Sequence, residues 1–199
     1  MKHDAERCTF LCGMPSDAAV AIAFLERNPP SSFAIEWNRS QPPSASRDQR
    51  IFAYLEWMAV LSTSHSQLSR LGFEVIPNAT AAQLLSEISG RSTATAIIAH
   101  HELGEGLEML DRVVSYDEVA RAAPTTPSII HLGVCRSNNL APIFKGNCSD
   151  VRVISSKLEV DPLFFARTLV ETVAYWRSKP QDYVEAFFKV RMALFDALA

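Results

Sequence analysis

Short apolar runs alternate with capped helical segments along the whole chain, and that alternation dictates an α/β fold: a mainly parallel central sheet flanked by helices on both faces. The first run is Arg7 to Met14, closed by Pro15; Phe73 to Pro77, Thr95 to His100, Ser128 to Cys135 and Val151 to Ser155 follow. A parallel pair needs a crossover of about a dozen residues or more. The segment between His100 and Ser128 is long enough for one, so those two strands are expected to be neighbours. Ser32 to Trp37 reads as a further, peripheral strand.

The helix signals lie between these runs. Ser16 is placed to cap a helix through Leu25, and Ser46 with Gln49 forms a capping box after the loop-like Ser40 to Ala45. That helix runs towards Leu71, where Gly72 is a natural stop. Thr80 with Gln83, and Ser115 with Glu118, are two more boxes. A short helical segment is expected near Ala141 to Phe144. Asp161-Pro162 opens an amphipathic helix, because proline suits the first helical position, and Pro180 with Asp182 begins the last one. Gly104 to Val114 alternates weakly, as a small hairpin would. Without repeats or an internal linker, residues 1–199 are expected to form one domain.

Composition narrows the function classes. The net charge of −3 gives no reason to expect nucleic acid or an anionic membrane as partner. No window approaches the roughly 18 apolar residues of a membrane span, and the first seven residues, with two acids among them, do not resemble a signal peptide. The expectation is a cytoplasmic protein whose cysteines, Cys8, Cys12, Cys135 and Cys148, remain thiols.

The chemistry concentrates at two strand ends. In open parallel sheets, sites form outside the carboxyl ends of the strands, and neighbouring strands lie about 4.8 Å apart. His100 and Cys135 stand where two such runs end. A thiol becomes a strong nucleophile when an imidazole takes its proton. On that geometry Cys135 is the candidate nucleophile and His100 the candidate base, with the backbone N–H of Cys135 and one near His101 as a possible oxyanion hole. A buried, inert cysteine and a bystander histidine fit the same spacing.

Other uses of these residues are less well supported. His131 and Cys135, four apart on one strand, would be some 13 Å apart, too far to share a metal. A zinc site would need His100, His101 and Glu102 with Cys148, a spacing that matches no common zinc pattern. No metal or other cofactor is expected. Cys8 and Cys12 are most simply core residues.

Two blocks carry a family resemblance. Ala96-Ile97-Ile98-Ala99-His100-His101-Glu102 looks like an apolar strand ending in a catalytic His-Gly, and Pro127 to Ser137, with Gly133-Val134-Cys135-Arg136-Ser137, is similar to a strand ending in Ser-Ala-Cys-x-Ser. Together they resemble the caspase-like cysteine peptidases of clan CD, in particular the bacterial CHAT-type domains. The resemblance covers about Phe73 to the C-terminus. Between the blocks, Gly106 to Leu110 and Val114 to Glu118 sit where the family has a small hairpin and a capped helix. His101 stands in place of the family's glycine, and Gly133-Val134 in place of Ser-Ala.

The resemblance implies a caspase-hemoglobinase-like fold and peptide-bond cleavage, with Cys135 attacking and His100 protonating the leaving amine. His101 is then either part of the oxyanion hole or an alternative base. It also implies a protein substrate and a regulatory protein partner, with Asp111, Glu102 or Asp161 available to line a pocket for Arg or Lys. The alternative is a catalytically inactive relative that keeps the fold as a protein–protein interaction module. A thiol enzyme acting on a small substrate is a third possibility.

Overall fold

The computed structural model describes residues 7–90, 92–102, 104–179 and 181–196. In chain order the elements are β1 (Cys8–Cys12), α1 (Ala18–Leu25), α2 (Ser32–Ser40), α3 (Arg47–Arg70), β2 (Phe73–Ile76), α4 (Ala81–Ser89), β3 (Ala94–Ile98) and β4 (His100–Glu102). They continue with β5 (Gly106–Glu108), β6 (Val113–Ser115), α5 (Tyr116–Ala122), β7 (Ile129–Gly133), α6 (Ala141–Phe144), β8 (Arg152–Ile154), α7 (Pro162–Ser178) and α8 (Tyr183–Asp196). Five strands form a parallel sheet in the order β2-β1-β3-β7-β8, and β4-β5-β6 form a separate antiparallel sheet. The molecule is therefore α/β, and β3 and β7 are neighbours, with Ile98 opposite Gly133.

Strand alternation explains the layers. Successive side chains of a strand point to opposite faces, so Phe10, Cys12, Ala96, Ile98 and Ile129 enter one core while Leu11, Ile97, Ile130 and Leu132 enter the other. The first core is closed by side chains of α1, α3, α7 and α8, such as Phe24, Tyr54, Leu169 and Ala186. The second is closed by Leu84 of α4, Val119 of α5 and Phe144 of α6. Cys8 and Cys12 are buried in the first core, where burial raises the Cys12 thiol to about 12 and keeps it protonated.

All three capping boxes form, at Ser46/Gln49, Thr80/Gln83 and Ser115/Glu118. Asp161 caps α7, its carboxylate accepting from the N–H groups of Leu163 and Phe164. Three expectations are corrected. Ser32 to Trp37 is the helix α2 rather than a strand: Ser31 caps it through the Ala34 N–H, and Phe33 and Trp37, one helical turn apart, stack at 6.3 Å between centroids. Asp17 rather than Ser16 caps α1, because the Ser16 N–H and hydroxyl are both taken by the Asn78 side chain. The strand expected to reach His100 stops at Ile98, and His100 opens β4, which adds a third strand to the β5–β6 hairpin. Pro180 lies outside the described residues, and Asp182 supplies the acceptor for the Val184 N–H at the start of α8. Among the described residues, no helix is long and apolar enough to cross a membrane.

Candidate active site

Cys135 lies two residues beyond β7, at a tight turn. Arg136 adopts the left-handed conformation (φ 49°, ψ 35°), uncommon for a residue with a side chain and worth about 1–2 kcal/mol of strain. A 3₁₀ turn, Ser137–Asn139, follows. The strain is held by the segment after β8. Leu158 accepts the Arg136 N–H at 3.0 Å and Ser156 accepts the Asn138 N–H at 3.1 Å, while the Ser137 hydroxyl accepts the Ser156 N–H at 3.1 Å. The same strap reaches the sulfur. The Val160 N–H donates to Cys135 Sγ at 3.2 Å, and the thiol faces the Val160 carbonyl at 3.7 Å.

His100 emerges beside this turn. It follows Ile98 by two residues, as Cys135 follows Gly133, and each lies beside a residue packed against the first core, His100 beside Phe33 and Cys135 beside Val160. The His100 ring meets Phe33 edge-on at 5.9 Å, and its Nδ1 lies 3.9 Å from Glu36 Oε2. Among the described residues no hydrogen bond joins the Cys135 sulfur to an imidazole; the sulfur's contacts are with Val160.

His101 is buried and meets the nucleophile's main chain. Its Nδ1 lies 2.7 Å from the Cys135 carbonyl oxygen and its Nε2 2.8 Å from the Tyr116 hydroxyl. A carbonyl only accepts, so Nδ1 carries the proton and Nε2 accepts from the Tyr116 O–H. Tyr116 in turn accepts the Gly104 N–H at 3.3 Å. Both ring nitrogens are engaged, so His101 ties the small sheet to the Cys135 turn as a positioning residue.

The three acids expected around a substrate pocket fall in two places. Glu102 and Asp111 share a cavity of about 370 Å³ with Glu105, Glu108, Arg27 and Arg112. Asp161 instead lines a second cavity, of about 480 Å³, behind the strap. In the first, the buried Glu102 Oε2 has no hydrogen-bond partner among the described residues, whereas Asp111 accepts the Ala81 N–H at 2.7 Å at the start of α4. Glu118 pairs with Arg112, and that pairing together with Ser115 holds its carboxyl down at about 2. Among the described residues no three His, Cys, Asp or Glu side chains converge as metal ligands. Cys148 packs with the second core, away from the face of His100.

Sequence reasoning missed Phe33, Glu36, Glu108, Tyr116 and Val160. Glu108 sits directly opposite His100 in the β4–β5 ladder, and its buried carboxylate takes Arg27 and, at 3.0 Å, the Phe33 N–H. It thereby fixes the start of α2, the helix that brings Phe33 and Glu36 to His100. Glu108→Ala leaves that N–H without its acceptor and Arg27 with only the Leu110 carbonyl and the Phe24 ring, and is expected to cost about 2 kcal/mol in urea unfolding. Glu108→Gln, which keeps an acceptor for Phe33, should recover part of that loss. An alanine variant within 0.5 kcal/mol of wild type would refute the anchoring role.

Comparison of the chain with known protein families, with curated proteins and with solved structures finds no match.

Proposed function

We propose that this chain is a caspase-like cysteine endopeptidase of the CHAT type, cytoplasmic, acting on a specific protein and regulated by a protein partner. The observation that carries the reading is the placement of Cys135 and His100 two residues past the ends of adjacent parallel strands, beside Val160 and Phe33, which both pack against the first core. The order of elements supports it: a strand before His100, the small sheet β4–β6, the capped helix α5, a strand before Cys135, then β8 and the closing helices α7 and α8. This is the order that the sequence resemblance implies for a caspase-hemoglobinase-like fold.

In the proposed reaction His100, oriented by Glu36, takes the Cys135 proton. The thiolate adds to the scissile carbonyl carbon, and the Cys135 backbone N–H receives the developing oxyanion. The C–N bond then breaks as the imidazolium gives its proton to the leaving amine. Water, deprotonated by His100, hydrolyses the thioester and restores the thiol. Glu102 and His100 alternate onto the same face of β4, so the acidic cavity supports a preference for Arg or Lys. For the sulfur to reach a substrate, the strap must release it from Val160, which is where a regulatory partner would act.

The contact of Cys135 with Val160 also favours a second reading, an inactive caspase-like fold that serves as an interaction module. Thiol reactivity separates the two. Cys135 and Cys148 are both partly exposed, whereas Cys8 and Cys12 are buried, so Cys148 is an internal control. The peptidase reading expects iodoacetamide to label Cys135 about tenfold faster than Cys148 at pH 7, an advantage lost in His100→Ala, together with cleavage of Lys- or Arg-containing peptides. Equal labelling of the two cysteines and no cleavage would leave the interaction module.

A further inference from the structure

The crevice past the carboxyl end of β8 holds a cavity that the proposed chemistry does not use. Open parallel sheets bind ligands in this position, because the loops that leave the strand ends can wall a ligand. Here the loop is the strap, and side chains of α7 and α8 complete the walls. The volume of about 480 Å³ falls within the range of small-molecule pockets. Leu158, a lining residue of the strap, is exposed, so the cavity reaches solvent there.

The walls are apolar and largely aromatic. Ile154, Val160, Phe164, Phe165 and Phe187 line the cavity, and the His131 ring joins them, edge-on to Phe165 at 4.8 Å and to Phe187 at 4.6 Å between centroids. Burial holds His131 down at about 3, so this ring is neutral at pH 7. Rings set nearly at right angles present both faces and edges, the two surfaces that aromatic pairs use. The charged side chains of the lining are committed. Glu159 pairs with Arg136 at 3.2 Å, and the Asp161 carboxylate accepts the first N–H groups of α7. Arg191 is already engaged, its guanidinium 5.9 Å from the Phe187 ring centroid. An ion entering the cavity would therefore give up its water without gaining a free counter-charge. We infer that this cavity binds a small uncharged aromatic molecule of one or two fused rings, seated among Ile154, Phe165 and Phe187. The inference is independent of whether Cys135 is catalytic, since none of those three residues enters the proposed reaction.

Methyl NMR titration of the whole chain with indole tests this, with indole-3-acetate and tryptamine as anionic and cationic relatives of the same ring. Ile154 and Val160 line the cavity, and Leu84 and Ile97 in the second core are internal controls. Saturable indole shifts at Ile154 and Val160 are expected, with the control methyls unmoved and both charged relatives at least about tenfold weaker. Ser155→Trp, which tethers an indole ring to the lining, should abolish the indole response while the control methyls keep their positions. The wild-type titration decides the matter even where that variant fails to fold. No saturable shift, shifts largest in the second core, a charged relative binding as tightly as indole, or an undiminished response in folded Ser155→Trp would each overturn the assignment.

Discussion

Gly133→Ala is expected to destabilise the chain by about 3 kcal/mol, the upper part of the range for overpacked cores. A Cβ at this position would stand 2.5 Å from Cδ1 of Phe165, 2.6 Å from Cε1 and 2.7 Å from Cγ. Real Cβ atoms essentially never come so close. The ring has little room to retreat, since Phe165 is 6% exposed and meets the His131 ring at 4.8 Å between centroids. Helix α7 would have to lift from the sheet two residues before Cys135. In a double-mutant cycle, Phe165→Leu should be costly alone yet recover much of the loss in the Gly133→Ala background, because the smaller side chain makes room. Urea unfolding of the four proteins measures the coupling. If the two substitutions simply add, the contact does not set the approach of α7.

Acid should destabilise the fold well before its carboxylates protonate. Burial lowers His131 from 6.5 to about 3, helped by the Arg191 charge, and burial lowers His65 to about 4. Both therefore stay neutral in the folded chain at pH values where the unfolded chain takes up protons. Stability from each is fully present above about pH 6.5 and falls as pH drops below it, until the folded group titrates. The slope is about 1.4 kcal/mol per pH unit for each histidine, so the pair removes roughly 4–5 kcal/mol between pH 6.5 and 4.5, a large part of a usual domain's stability. His65→Phe separates the two contributions. The His65 ring packs 5.2 Å from Phe10 and its buried Nε2 has no hydrogen-bond partner among the described residues, so a phenyl ring should fit, add about 1 kcal/mol at pH 7 and roughly halve the acid slope. An unchanged slope in urea midpoints at pH 7 and pH 5 would remove His65 from the explanation.

What was legible in the sequence was local. Ser46 with Gln49, Thr80 with Gln83 and Ser115 with Glu118 are hydrogen-bonded pairs three residues apart, and the chain shows them before it folds. The two neighbouring parallel strands were legible as apolar runs, but β3 stops at Ile98 and β7 at Gly133, each two residues short of His100 and Cys135. The contacts around those two residues were not. Val160 meets the sulfur from 25 residues away, and Glu108 reaches Phe33 across 75; such contacts depend on which layers pack together. Glu36 was hidden by a misread period. Read as a strand, Phe33 and Glu36 point to opposite faces; on the helix that forms, three residues apart, both reach His100.

His101 holds position 135 by its carbonyl oxygen, an atom that every amino acid possesses. Replacing the thiol with a hydroxyl or a methyl group leaves that tether, and the Leu158 bond to the next N–H, in place. The architecture of the turn is thus insured separately from the reactivity of the residue at its tip, and only the N–H of Val160 registers the exchange. A lineage could lose or regain the nucleophile here by changing one side chain, without rebuilding the scaffold that presents it.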